Sequence, residues 1–273
     1  MPASQNDKAI RFRALHQGPA FVIPNPWDAG SARILAALGF QALATSSGAQ
    51  AGVLGRRDGA VSRDEALAHC RLVVDATDVP VAADLEKCFA DAPAAAAETI
   101  RLAADVGLVG GSIEDATGAA DKPLYDFAHA VERVAAAAET ARKLPFPFTL
   151  TARAEGCLRG SPNVDEIIKR LQAFETAGAD VLMAPGLPDL ASVRTVCASI
   201  KKPFNFMVGI PGKSFTVAEL EAAGVRRISL ATSLYRAAMS GMFDAIREVK
   251  DKGTFGYVDR GLTSAELRGY MKS

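Results

Sequence analysis

Two patterns of apolar and polar positions alternate along the chain. Short runs rich in Val, Ile, Leu and Ala read as buried strands, and longer stretches with helical spacing of apolar residues read as amphipathic helices. The strand runs are AFVIPN from Ala20, ALATSS from Ala42, VPVAADLE from Val79, LVGGSIED from Leu108, FTLTAR from Phe148, ADVLMAP from Ala179, FNFMV from Phe204 and RRISLAT from Arg226. A helix over about residues 4–16 precedes them. Asp28 opens the helix AGSARILAALG, Ser62 with Glu65 forms a capping box before ALAHCRLVV, and Pro93 suits the first turn of AAAAETIRLAADVG. Gly39, Gly107, Gly178 and Gly224 stand where helices should end.

The pattern amounts to eight strand–helix units, with no linker, low-complexity tract or charge run to divide them. A doubly wound sheet rarely needs eight such regular units, whereas a (β/α)8 barrel needs that number in ~250 residues. The expected architecture is therefore one α/β barrel over residues 1–273. Residues 1–19 would hold an N-terminal helix, and residues 234–273 a C-terminal helix and tail.

Composition narrows the partners. Lysine plus arginine number 31, as do aspartate plus glutamate, so the formal charge is zero. Such a balance gives no general attraction to nucleic acid or an anionic membrane. No apolar run approaches the ~18 residues of a membrane span, and the polar N-terminus lacks the apolar core of a signal peptide. Cys70, Cys88, Cys157 and Cys197 match no zinc spacing, so reduced thiols in a cytoplasmic protein are expected. His16, His69 and His129 are scattered and announce no catalytic triad.

In a (β/α)8 barrel the chemistry sits at the C-terminal ends of the strands. Acidic residues gather there: Asp84 and Glu86 after strand three, Glu114 and Asp115 after strand four, and Glu155 beside Arg153 after strand five. Alone, Asp84-Leu85-Glu86 marks two solvated carboxylates at a loop start. Glu114 on the neighbouring strand turns the set toward a hard divalent cation, Mg²⁺ or Mn²⁺. Ser46, Ser47 and Gly48 offer hydroxyls and amides for a carboxylate or phosphate, and Arg153 either clamps a carboxylate through two N–H groups or forms a structural salt bridge to Glu155 or Glu114. GIPGKS, from Gly209, is not a phosphate-binding P-loop, because Met207 stands where that motif requires glycine.

NPWDAGSARILAALGFQALATSSG, then VPVAADLE, GGSIEDATG, LTARAEG and AFETAGADVLMAPG, together resemble the isocitrate lyase / phosphoenolpyruvate mutase superfamily from about residue 21 to 234. The resemblance implies a (β/α)8 barrel whose eighth helix swaps between subunits of a homodimer or homotetramer. It also implies Mg²⁺ and a small 2-oxo, 2-hydroxy or enolpyruvyl acid as substrate. Residue by residue, Trp27 matches a tryptophan near the substrate. Ser46 matches the serine of the family's TSG turn, and Ser47 stands in place of its glycine with Gly48 next, their amides placed to bind the substrate carboxylate. Asp58 matches the aspartate of the family's G-[FY]-P-D loop. Asp84 matches the principal metal ligand, Glu86 the second acidic position and Glu114 a ligand acting through water. Arg153 matches the substrate-binding arginine and Asn205 the asparagine of strand seven. The resemblance thus gives Arg153, Asp58 and Glu114 catalytic roles.

The departures from the family pattern are informative. The lyases carry a K-[KR]-C-G-H loop after the IED motif, but here TGAADKPLYDFAHA follows and holds no cysteine. Ala44 replaces the tyrosine before the serine turn, and Pro185 replaces the glutamate after strand six. Thr117, Asp121 and Lys122 do not reproduce the mutases' asparagine-containing loop. The expected activity is Mg²⁺-dependent C–C cleavage or decarboxylation of an oxaloacetate-like acid through a metal-stabilised enolate. The alternatives are phosphonomutase-type P–C chemistry and a non-catalytic protein that binds 2-oxo acids.

Overall fold

The computed structural model describes residues 3–271 of the chain. Residues 1–2 and 272–273, the extreme ends of the terminal spans expected above, lie outside the described residues. Eight parallel strands run β1 (Phe21–Ile23), β2 (Leu43–Ala44), β3 (Val81–Ala83), β4 (Gly110–Glu114), β5 (Thr149–Arg153), β6 (Val181–Met183), β7 (Phe204–Met207) and β8 (Arg227–Ser229). Their order is β1-β8-β7-β6-β5-β4-β3-β2. At the seam between β1 and β2, the Ala44 amide donates to the Pro24 carbonyl at 3.1 Å and Asn25 Nδ2 donates to the Thr45 carbonyl at 2.9 Å. These bonds draw the sheet into the expected (β/α)8 barrel.

The helices are α1 (Gln5–Leu15), α2 (Ala29–Ala37), α3 (Ser47–Val53), α4 (Arg63–Ala76), α5 (Pro93–Asp105), α6 (Phe127–Arg142), α7 (Val164–Ala177), α8 (Leu190–Ser199), α9 (Val217–Ala222), α10 (Ser233–Lys252) and α11 (Ser264–Tyr270). Their boundaries follow local chemistry. Asp28 caps α2, the Ser62–Glu65 box opens α4, and Pro93 is in the first turn of α5. Gly178 ends α7 with φ 109°, a left-handed conformation that costs an L-residue but not glycine. The apolar faces of these helices pack on the outside of the barrel, where Val73, Ile100, Val134, Leu171 and Val193 are buried with Leu150, Leu182 and Ile228 of the strands.

One end of the barrel is closed by α1. Phe12 is fully buried with Ala9, Ile23, Ala82 and Val109. Gln5 Nε2 donates to the carbonyls of Ala104 and Leu108 at 2.8 and 2.9 Å, which ties α1 to the end of α5 and the start of β4. Gly110 makes this plug fit, because a Cβ there would lie 2.9 Å from both Phe12 Cε1 and the Thr149 carbonyl oxygen. The opposite end, where the strands point, is open. In contrast with the other long helices, α10 buries none of its 20 residues. Among the described residues, no helix is long and apolar enough to cross a membrane.

Candidate active site

A cavity of about 700 Å³ opens at the C-terminal ends of the strands and descends into the barrel. Its lining includes Ser46, Ser47, Gly48, Asp58, Asp84, Glu86, Glu114, Arg153 and Asn205, so the fold brings together all but one of the residues expected to bind substrate or metal or to act in catalysis, while the rim acid Asp115 pairs with Arg170 outside it. The exception is Trp27. Its ring packs edge-on against Tyr235, with centroids 5.8 Å apart, and its carbonyl oxygen lies 2.9 Å from His69 Nε2. It supports the wall between α2, α4 and α10 and does not line the cavity.

Arg153 organises the acids. The β4–β5 register places it beside Glu114. Its Nη1 donates to Asp84 Oδ1 at 2.8 Å, its Nε and Nη2 donate to Glu155 Oε1 at 3.0 and 2.8 Å, and Nη2 lies 3.3 Å from Glu114 Oε2. Burial works against its charge, but Glu155, Glu114 and Asp84 together raise its pKa well above the ordinary value. The guanidinium is therefore engaged on all sides by protein carboxylates. Arg159, nearly half exposed, is freer: its closest carboxylates, on Glu114 and Glu155, lie 3.9 Å away.

The carboxylates divide by environment. Burial would raise the pKa of Asp84, yet Arg153 and the Ser47 hydroxyl and amide, at 2.9 and 3.3 Å, hold it below the usual carboxylate range. Part of the Ser46–Gly48 turn is thus already turned onto Asp84. That turn is also the start of α3, which Ser46 caps by accepting from the Ala49 amide at 3.4 Å. Glu86 is pushed up to about 7 by burial, Asp84 and Asp58. Glu114 is pushed up to about 8 by burial, with Glu155 and Asp84 adding to the effect and Arg153 opposing it. The backbone here is strained: Glu86, Cys88 and Phe89 have φ of 51°, 58° and 55°, where non-glycine residues seldom sit. Cys88 is fully buried and its thiol is pushed up to about 12, so it is no thiolate nucleophile at neutral pH.

Sequence reasoning placed Glu155 among the rim acids without a ligand or catalytic role, and gave Arg159 and Arg227 no place in the site. Glu155 is fully buried, and its Oε2 has no hydrogen-bond partner. Its position two residues after Arg153 was the available signal, since alternate residues of a strand share a face. Thr117 and Gly118 reach the cavity edge, while Lys122 pairs with Asp126 at 2.6 Å away from it.

A divalent cation fits this chemistry. Asp58, Asp84, Glu86, Glu114 and Glu155 line one cavity, two of them with raised pKa, and one buried carboxylate oxygen lacks a partner. Among the described residues no three such groups converge as a ready-made ligand set.

Fold and site together define a barrel enzyme built around clustered carboxylates. The family model described as phosphoenolpyruvate phosphomutase matches residues 12–250, and the chain belongs to this family, whose relatives include lyases and mutases. A putative lyase/mutase from Burkholderia cenocepacia J2315 is 48% identical, with a TM-score of 0.96 over 97% of this chain and 96% of that one. A putative phosphonomutase from the same organism is 32% identical, with a TM-score of 0.82 over 90% of this chain and 99% of that one. The oxaloacetate decarboxylase of Ectopseudomonas mendocina is 28% identical, the match covering 90% of this chain and 86% of the relative.

Proposed function

We propose that the chain is a Mg²⁺-dependent carbon–carbon lyase that cleaves or decarboxylates a small 2-oxo or 2-hydroxy carboxylic acid of the oxaloacetate type. The observation that carries this reading is the gathering of Asp84, Glu86 and Glu114 in one cavity, with Arg153 bridging Asp84, Glu114 and Glu155. The oxaloacetate decarboxylase relative supports the substrate class. Asp84, Glu86 and Glu114 would hold the ion, with waters between. When bound, the ion supplies a Lewis acid for negative charge developing on the 2-oxo oxygen.

The chain's own residues do the rest. Arg153 holds three carboxylates in place, so its catalytic role is to fix their positions. The Gly48 amide and Arg159 then remain to receive the substrate carboxylate. Gly48 must stay bare: a Cβ there would lie 2.8 Å from Thr232 Cγ2 and 3.2 Å from Asp58 Oδ2. Asp58, on the exposed rim, would position solvent water as the proton donor to carbon after cleavage. Decarboxylation of a 2-oxo acid needs an electron sink rather than a strong base, which agrees with a buried, neutral Cys88 and a loop without cysteine.

Assembly as a homodimer or homotetramer through α10 and the tail belongs to the same reading. It is supported by Met242, Phe243 and Ile246 on α10, each more than half exposed. A cytoplasmic setting is supported by four free cysteines.

The test is turnover. Purified protein with Mg²⁺ is offered oxaloacetate, substituted malates and phosphonopyruvate, with CO₂ release and phosphorus NMR as readouts. Release of CO₂ or a C–C cleavage product, lost in Asp84→Asn together with calorimetric Mg²⁺ binding, is expected. A changed phosphorus signal would favour the mutase reading, which the phosphonomutase-like structure supports. Binding without turnover of any compound would overturn the enzymatic reading in favour of a 2-oxo acid-binding protein.

A further inference from the structure

The cavity has a second polar layer, below the acidic rim and opposite in character. Arg227, on β8, is buried within the barrel and lines the cavity. Its Nε donates to Asn205 Oδ1 at 2.8 Å, its Nη2 donates to Thr151 Oγ1 at 2.8 Å, and its Nη1 lies 3.4 Å from His16 Nε2. His16 reaches this point from α1. Its Nδ1 lies 2.9 Å from the Phe12 carbonyl oxygen, which can only accept, so Nδ1 carries the proton and Nε2 offers a lone pair. All three partners of Arg227 are therefore neutral. Burial pulls its pKa down to about 9, and no acidic group offsets that effect among the described residues. A guanidinium carries five N–H groups, and the three contacts leave two of them unmatched.

The neighbouring hydroxyls add donors of their own. Thr151 Oγ1 accepts from Arg227, and Ser229 Oγ accepts from Asn205 Nδ2 at 3.0 Å. In each case the oxygen's own O–H remains free to donate. Thr151, Asn205, Arg227 and Ser229 all line the cavity, so its floor combines spare donors with an uncompensated positive charge. A water molecule could satisfy donors but not the charge, and a buried unpaired cation is costly.

We propose that the floor of the cavity is an anion subsite, formed by Arg227, Thr151 and Ser229, that takes a small monovalent anion such as a halide or a short carboxylate. The anion could be a free ion or one end of a bound acid, and the chemistry is the same. The site depends on no metal and no turnover, so it stands or falls apart from the reaction proposed above.

The experiment uses sodium bromide on the intact protein. Crystals soaked in bromide and measured at the bromine absorption edge should show an anomalous peak in contact with Arg227 and the two hydroxyls. In solution, bromide should compete for the chloride whose NMR linewidth the protein broadens. Ser229→Ala and Thr151→Val keep the arginine but lose one donor each, and should weaken bromide binding about tenfold. Arg227→Met should abolish it; if that variant does not fold, the two hydroxyl variants still decide. Oxaloacetate added with bromide separates the sources. Displacement assigns the subsite to an acid's carboxylate and joint binding assigns it to a free ion, and both support the site. Bromide found only on the surface, or equal affinity in wild type and the hydroxyl variants, would overturn it.

Discussion

Glu114 makes the metal-free protein lose stability as the solution becomes more alkaline. Its folded pKa of about 8 stands above the ordinary value of 4.5 because the carboxyl is buried near Glu155 and Asp84. A raised carboxyl pKa means that the folded state binds the proton more tightly than the unfolded state. The resulting stability is fully present below pH 4.5 and is lost as pH rises through 8. Integrating one proton between those two pKa values gives about 3–4 kcal/mol lost from pH 5 to pH 8. For a chain of this size that is about 5–7 °C in Tm. Glu86 and Asp115, raised to about 7 and about 6, slope the same way, so the comparison must be made against Glu114→Gln, which keeps them. Urea denaturation in chelator at pH 5 and pH 8 should show the wild type falling more steeply than the variant by about that margin. Mg²⁺ at pH 8 should restore the wild type and do much less for the variant. Identical slopes in the two proteins would refute the burial argument.

Arg153→Lys keeps a charge but cannot bridge Asp84 and Glu155 as the guanidinium does; a loss of about 2–4 kcal/mol is expected, and an unchanged denaturation midpoint would sink the organising role given to Arg153. His16 acts in the acid range with the opposite slope. Burial, assisted by Arg227, lowers its pKa to about 3, so stability is lost as pH falls from 6.5 toward 3, by about 3–5 kcal/mol in full. His16→Gln, whose amide can both donate to Phe12 and accept from Arg227, should flatten that decline; equal acid midpoints would exclude the mechanism. Light scattering should give a multiple of the chain mass for the wild type and a lower mass for Phe243→Glu with Ile246→Glu, and a monomer in the wild type would remove the assembly.

Much of the barrel was legible because its signals are local. The capping box at Ser62 and Glu65, the Asp28 cap and Gly178 at the end of α7 all act within a few residues, and each is where the spacing puts it. Helix α3 was not legible: SGAQAGV is too short and glycine-rich to display a helical stripe, and it is set by Ser46 as a cap and by Ser47 reaching Asp84. The rim acids could be read because strand ends in this architecture converge. Arg227 could not. In RRIS, Arg226 and Arg227 look alike, and only the pairing of Phe21 and Asn205 with Arg227 decides which one enters the barrel. Nor does sequence reveal that Arg153 is occupied by three carboxylates, because saturation depends on distances rather than on residue type.

The contact between His16 and Arg227 spans 211 residues of chain, and β1 forms its ladder with β8. During synthesis the β8-facing edge of β1 and the His16 ring therefore wait for β8 before they are enclosed. At ~5–20 residues per second on the ribosome, that interval is about 10–40 s. Throughout it, the edge of β1 that pairs with β8 has no partner, and it is the segment a holding chaperone would meet. A circular permutant opened between α9 and β8, placing β8 ahead of α1, would bring β1 and β8 close in sequence and move the late closure to the β7–β8 ladder.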